Sequence, residues 1–269
     1  MININQLSFA YKKQPPLFQQ ISIEETAGKI IGLLGKNGAG KTSLLHLISG
    51  LLTPASGEIS VLNHYPPKRN PNFLNQVYYV PEEFFFPNLT MEAYTNAFAP
   101  FYPTFSREKM NHLMTGFDLQ PKLNLNRISL GQKKKFRIAF GLATNCPLII
   151  LDEPTNGLDI PSKGIFRKLL ASSLSENQMA IISTHQVKDI ETLIDKILLI
   201  DKGKIVFNSY ISTISDKYEF RVTPTSLEES VYSEFSVAGY KNIVLGTGNP
   251  TEIDLELLFN AVINGANLN

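Results

Sequence analysis

Tryptophan is missing from this 269-residue chain, cysteine occurs once, and the charges nearly cancel, with 25 Lys and Arg against 24 Asp and Glu. A lone Cys146 cannot close an internal disulfide, and its place before an apolar run reads as a small core side chain in a reducing compartment. A net charge of +1 removes the basic excess that nucleic-acid binders gather on one face, so no nucleic-acid partner is expected. Long apolar runs are also lacking. Leu148–Leu151 and Ile197–Ile200 fall far short of the roughly 20 residues that cross a bilayer. The N-terminal stretch alternates polar and apolar residues without a basic region ahead of an apolar one, so no signal peptide is expected. The chain reads as soluble by itself, and any work at a membrane requires a second, spanning chain. There is no internal repeat and no low-complexity segment.

What is present suits a globular protein with a substantial core: 43% of residues are hydrophobic and 18% charged. The length predicts one large domain with a small appendage. Ile2 to Tyr11 reads as an edge-type strand with Ile2, Ile4, Leu7 and Phe9 inward, and Gln14-Pro15-Pro16 breaks it. Strands follow at Phe18–Ile23 and Ile30–Leu34, then a helix from Thr42 to Leu52 and a strand from Glu58 to Leu62. Between Pro81 and Leu125 the β-branched residues thin out and helical segments separated by prolines take over. Strand–helix alternation resumes at Leu148–Leu151, Met179–Ser183 and Lys196–Ile200, and Lys202-Gly203 signals a two-residue hairpin. This is an α/β pattern. Its expected division is a large unit over 1–210, with a helical subdomain over about 81–145, and a small α/β accessory unit over 211–269 that ends in a helix, Asp254–Ile263.

Gly35-Lys36-Asn37-Gly38-Ala39-Gly40-Lys41-Thr42 fits the phosphate loop G-x-x-x-x-G-K-[ST]. Its glycines let successive backbone N–H groups converge on an anion at a helix start. Lys41 would neutralise β- and γ-phosphates, and the Thr42 hydroxyl would ligate Mg²⁺. The apolar strand Leu148–Leu151 ends in Asp152 and Glu153, at the sheet edge where open α/β folds bind ligands. Asp152 would hold Mg²⁺ and Glu153 would polarise an attacking water. Ile128-Ser129-Leu130-Gly131-Gln132 carries a capping-box pattern, Ser129 three residues before Gln132, opening a helix over Lys133–Ala143. Alone it reads as an ordinary cap, but a helix start is also a second anion site. One domain clasping one nucleotide needs only one such site. Head-to-tail pairing of two copies accounts for both.

In this order the motifs resemble the nucleotide-binding domains of ABC transporters over roughly residues 1 to 210. The Walker A loop is Gly35–Thr42, Ile128–Gln132 resembles the LSGGQ signature, and the Walker B strand ends in Asp152-Glu153. Asn156-Gly157-Leu158-Asp159 resembles the D-loop, and Ser183-Thr184-His185 the switch histidine at a strand end. The resemblance implies a P-loop NTPase fold of the ABC type. It implies ATP and Mg²⁺ as ligands, held by Tyr11 against adenine, by Gly35, Asn37, Gly38, Ala39, Gly40, Lys41, Thr42 and Ser43, and by Ser129, Gly131 and Gln132 from the signature. Metal ligation falls to Thr42, Glu82 and Asp152, and catalysis to Glu153 and His185. Two positions depart from the pattern. Leu130 stands where the family usually has glycine, and Glu82, in Tyr79-Val80-Pro81-Glu82-Glu83, stands where a glutamine is usual. Glu82 with Phe84-Phe85-Phe86-Pro87 resembles the branch serving drug, antibiotic or polysaccharide-type exporters, in which those aromatics lie where the membrane partner docks. Lys133-Lys134-Lys135 and Arg137 read as a solvated helix face.

The expected function is the ATP-hydrolysing subunit of a transporter, export favoured. It would be peripheral at the cytoplasmic face of the membrane and paired with a second ATPase subunit and an integral membrane permease. A soluble ABC ATPase acting on a non-membrane partner is the alternative, disfavoured by the single cassette and the lack of extended heptads between Thr42 and Ile128. A catalytically silent subunit is disfavoured by Lys41, Asp152, Glu153 and His185 occurring together. The absence of an Asn-Lys-x-Asp motif disfavours a small GTPase.

Overall fold

The computed structural model describes residues 1–248 and 251–268, so residues 249, 250 and 269 of the expected tail lie outside the described residues. The chain opens with the antiparallel strands β1 (Ile2–Ala10) and β2 (Pro16–Glu25). Ile2, Ile4, Leu7 and Phe9 are buried, as expected, although the inward set slips from even to odd positions, which plain alternation does not give. Gln6, at φ 47, is the extra residue of a bulge that absorbs the slip. The strand β3 (Lys29–Leu34) then runs into α1 (Lys41–Ile48), and β4 (Ser56–Val61) returns to pair with β1. Helix α1 stops four residues before the expected Leu52. Ser49 caps it and Gly50 follows at φ 73, where a Cβ would sit 2.3 Å from the Pro66 carbonyl oxygen.

A short α2 (Pro71–Leu74) and β5 (Val77–Val80) precede the helical stretch α3 (Met91–Phe98), α4 (Arg107–Gly116) and α5 (Leu130–Ala143). Each of these three helices starts at a hydroxyl residue, Thr90, Ser106 or Ser129, whose side chain accepts the N–H three residues on. Such a cap stabilises a helix start by about 1 kcal/mol. It also places the start of α5 three residues earlier than the expected Lys133. Alternation resumes with β6 (Leu148–Asp152), α6 (Ile160–Ser173), β7 (Met179–Thr184), β8 (Lys196–Asp201) and β9 (Lys204–Tyr210). Asp201 pairs with Lys204 across the Lys202-Gly203 turn, as the hairpin signal predicts.

Among the described residues the central sheet has the order β5-β6-β7-β3-β8-β9, parallel except for the β8–β9 edge pair. Both faces are covered, so its strands are continuous apolar runs whose alternate residues feed two cores. Leu148, Ile150, Leu198 and Ile200 pack toward α1 and the β2-β1-β4 sheet. Ile149, Leu151, Ile197 and Leu199 pack toward the helices α3 to α6. Because β6, β7 and β3 are adjacent and parallel, the loops leaving their carboxyl ends emerge side by side.

The tail comprises α7 (Ile211–Lys217), an antiparallel sheet of β10 (Tyr218–Thr223), β11 (Tyr232–Ser236) and β12 (Gly239–Leu245) in the order β10-β12-β11, and α8 (Leu255–Ile263). Asp254, the first residue of the expected helix, is instead the cap of α8, which begins one residue later. Tyr218, Ile243, Leu255, Leu258 and Ala261 join the helix-side core.

Candidate functional site

The loop leaving β3 turns into α1 through Gly40, at φ 111, where a Cβ would meet the Phe18 ring at 2.8 Å. Glycine is therefore required, and it sets Lys41 and Thr42 at the first turn of α1 with the helix N–H groups facing the same cleft. The Lys41 ammonium donates to the Gly35 carbonyl at 2.8 Å and the Lys36 carbonyl at 3.3 Å, and lies 3.7 Å from Glu153 Oε1. Burial pushes its pKa below the ordinary lysine value, and the Glu153 and Asp152 carboxylates oppose that shift.

At the end of β6, Asp152 is fixed from two sides. Ser183 donates to its Oδ1, and the Tyr79 hydroxyl donates to Oδ2 at 3.1 Å. Tyr79 also meets His46 Nε2 at 3.0 Å. Burial, with Asp152 adjacent, pushes the Tyr79 hydroxyl pKa up, and burial pushes the His46 pKa down. Both groups thus stay neutral beside the carboxylate, which remains the acceptor.

Glu153 occupies the left-handed region at φ 45, uncommon for a residue with a side chain. Its N–H donates to the Ser183 carbonyl and hydroxyl, both at 3.1 Å. The His185 Nδ1 lies 2.9 Å from Glu153 Oε1. A carboxylate only accepts, so Nδ1 carries the proton. The other oxygen, Oε2, is buried without a hydrogen-bond partner.

Tyr11, Asn37, Gly38, Gly40, Lys41, Thr42, Ser43, Glu82 and Glu153 line one cleft of roughly 640 Å³. The Tyr11 hydroxyl meets Ser43 Oγ at 2.8 Å, and its ring packs edge-on against Phe9. Glu82 Oε1 accepts from Asn156 Nδ2 at 2.9 Å, which links the two loops named by resemblance. Ser129, Gly131 and Gln132 do not line this cleft. Both arms of the capping box are formed, Ser129 Oγ to Gln132 N at 3.2 Å and Gln132 Oε1 to Ser129 N at 3.1 Å. Leu130, 61% exposed, points away from that helix's core face.

The solvated-face reading fails for two of the four basic residues on α5. Lys134 is 2% exposed and donates to the carbonyls of Glu153 at 3.0 Å and Asn156 at 2.7 Å. Arg137 stands over the rings of Phe84, Phe86 and Tyr78 at 5.4, 5.7 and 6.0 Å, with its Nε buried and unpaired. One signal could have marked Lys134: it shares an i, i+4, i+8 stripe with Ile138 and Leu142, both fully buried. Tyr79, in contrast, has no local signal, since its link to Asp152 spans 73 residues.

A strand-to-helix phosphate loop beside a fixed Asp-Glu pair defines a P-loop ATPase cassette. Residues 18–156, more than half of the chain, match the ABC transporter family. Over 227 residues the chain is 29% identical to the SkfA peptide export ATP-binding protein SkfE of Bacillus subtilis strain 168, covering 82% of this chain and 94% of that one. It is 29% identical over 215 residues to the molybdate import ATP-binding protein MolC of Haemophilus influenzae, covering 77% and 81%. In fold it is similar to the ATP-binding cassette MJ0796, solved as a dimer in a post-hydrolysis state with ADP and Pi. That match has a TM-score of 0.69, 20% identity, and coverage of 78% of this chain and 99% of that one. The chain belongs to the ABC transporter family, as an ATP-binding and ATP-hydrolysing subunit.

Proposed function

We propose that two copies of this chain, or one copy and a paired ABC ATPase subunit, assemble head to tail around two ATP molecules. ATP-driven closure and hydrolysis-driven reopening then power an integral membrane permease. The observation that carries this reading is the place of Ser129. Its helix start, a kind of terminus that suits an anion, lies outside the cleft lined by Lys41 and Thr42. A two-fold axis would bring the cap of each copy to the cleft of the other.

In this reading Tyr11 stacks on adenine. The amides of Gly35, Asn37, Gly38, Ala39, Gly40, Lys41, Thr42 and Ser43 hold the phosphates, and Ser129, Gly131 and Gln132 of the second copy close over the γ-phosphate. Water attacks the γ-phosphorus, the bond to the β-phosphate oxygen breaks, and ADP departs with that electron pair. Glu153 takes up the water's proton through Oε2, the oxygen left unpaired, while His185 Nδ1–H steadies Oε1. Thr42, Asp152 and Glu82 offer hard oxygen donors suited to Mg²⁺, with Asp152 oriented by Ser183 and Tyr79. The described residues hold no cluster of three His, Cys, Asp or Glu that could bind a metal alone, which fits an ion shared with substrate phosphates. When bound, the ion offsets charge on the phosphate oxygens.

Support for a permease partner comes from Phe85, 96% exposed between the packed rings of Phe84 and Phe86. No helix among the described residues is long and apolar enough to cross a membrane, so the spanning part belongs to the partner, and with it substrate and direction. The cassette sits peripherally at the cytoplasmic face. The accessory unit over 211–269 regulates or assists pairing. Its α8 docks close to the switch histidine, through Leu255 N to Glu191 Oε1 at 3.2 Å and Lys188 to Glu256 at 2.9 Å.

Mixing two inactive variants tests the pairing. Lys41→Ala destroys the phosphate loop of its own copy, and Gly131→Asp destroys the cap it lends to the other. An equal mixture contains mixed dimers with one intact composite site, so it regains about a quarter of wild-type turnover if the sites act independently. A mixture as inactive as its components overturns the head-to-tail reading. Detergent co-purification with an integral membrane protein tests the permease, and recovery with ribosomes instead would favour a soluble partner.

A further inference from the structure

We propose that Lys134 is a positioning residue that ties the signature helix to its own chain's Glu153, so that anion capture at Ser129 is felt at the water-polarising carboxylate of the same copy. Lys134 lies five residues into α5, on the face that carries Ile138 and Leu142 into the core. Its ammonium donates to the carbonyl oxygens of Glu153 and Asn156, the two ends of the turn that follows β6. That turn is closed by Asn156 N to Glu153 O at 3.3 Å, so Glu153 O accepts from both. Asn156 in turn donates its side chain to Glu82. The signature helix, the D-loop and the glutamate at position 82 therefore meet through one lysine and one asparagine.

A buried ammonium held by carbonyls is an expensive way to fasten a helix. Apolar residues of similar volume usually match or exceed a buried charge in stability. What carbonyl bonds supply, and packing does not, is a fixed direction. Glu153 holds a left-handed backbone that its side chain disfavours, and the Lys134 bond pins the carbonyl just past that strained angle. The carboxylate is then aimed at Lys41 and His185. A helix is stiff along its axis, so a shift at its N-cap carries Lys134, and the turn it grips, with it. This relay rests on the head-to-tail reading, whereas the aiming of Glu153 does not.

The experiment compares Lys134→Met and Lys134→Arg with wild type for ATP turnover, ATP affinity, cooperativity in ATP and thermal unfolding. Misplacing a catalytic group by about 1 Å costs on the order of 10²-fold, so Lys134→Met should lower kcat roughly that much while ATP affinity changes by less than about threefold. Its melting temperature should hold, cooperativity should be lost, and Lys134→Arg, which can still donate to both carbonyls, should recover most of kcat. Wild-type kcat in Lys134→Met overturns the proposal. So does loss of kcat, affinity and folded state together in both variants, which marks a packing residue. ATP-dependent dimerisation of Glu153→Gln, measured by sedimentation, separates the two readings. If that variant stays monomeric, the pairing fails and the relay with it, and the split between kcat and affinity still judges the aiming of Glu153.

Discussion

In the ATP cleft, polar groups carried by three strands of the central sheet converge and are buried together; in the C-terminal tail they pair within one small sheet and its flanking turns. Lys41, Asp152, Glu153 and His185 leave three different strands, yet meet because β3, β7 and β6 are adjacent and parallel. In the tail, Glu219 accepts from Arg221 two residues away and from the Thr247 N–H and hydroxyl at 2.5 and 2.7 Å. Asn242 Nδ2 donates to Thr223 Oγ1 and the Tyr240 carbonyl. The cleft leaves one buried carboxylate oxygen, Glu153 Oε2, unpaired and thus able to act on a ligand. The tail closes its buried acid completely and leaves apolar groups outside, with Phe235 and Val237 exposed. Full pairing serves stability, and incomplete pairing in a low-dielectric cleft serves chemistry.

Identical substitutions in the two regions should therefore behave differently. Glu153→Gln keeps the shape and the ATP-binding loop but removes the proposed proton acceptor, so hydrolysis should fall by about 10² to 10⁴ while ATP binding persists. Glu219→Gln, also a buried glutamate, should leave turnover at wild type. Steady-state phosphate release and nucleotide binding measure both. Undiminished turnover in Glu153→Gln would break the comparison at its strongest point. A smaller effect is expected at Glu82, which lines the cleft and accepts from Asn156 but is only one of several proposed oxygen donors. Glu82→Ala should slow hydrolysis by about tenfold, the low end of what removing one supporting group of a metal site costs. Unchanged Mg-ATP hydrolysis in that variant would remove Glu82 from the metal set.

The motifs were legible in the sequence wherever one short segment specifies its own conformation. Gly35–Thr42 does so because its glycines permit a backbone that few other residues adopt, and Ser129-x-x-Gln132 because both arms of its capping box are local. The apolar residues of β1 were legible, with Ile2, Ile4, Leu7 and Phe9 all buried as expected, but the bulge at Gln6 that carries the inward set from even to odd positions was not. The links were not legible. Tyr79 to Asp152, Asn156 to Glu82 and Lys134 to Glu153 span 73, 74 and 19 residues and depend on which strands neighbour each other. Lys134 misled because a run of three lysines looks solvated until the helix phase turns the middle one inward. In the tail only the closing helix was legible at its position; the helix Ile211–Lys217 was not, and the antiparallel sheet follows from pairings between strands with no distinguishing motif.

The smallest expected effect sharpens the comparison from the tail side. Thr247 and Arg221 hold the Glu219 carboxyl down at about 2, against an ordinary value of 4.5. A group whose folded value is depressed stabilises the fold above its unfolded value and loses that contribution as pH falls through the folded one. The tail should therefore loosen between pH 4.5 and about 2, while contacts of Glu219 persist unchanged at neutral pH. Amide exchange at Thr247, corrected for the intrinsic pH dependence of exchange, reads this directly, because that N–H is bonded to the carboxylate itself. In wild type its protection should fall across this window, and in Glu219→Gln it should start lower and stay flat. A pH dependence that survives in Glu219→Gln would assign the acid sensitivity to another carboxylate. Asp254 would be the first to examine, because burial pushes its pKa up but the Lys241 ammonium and the Leu257 N–H at its helix cap together hold it below the ordinary value.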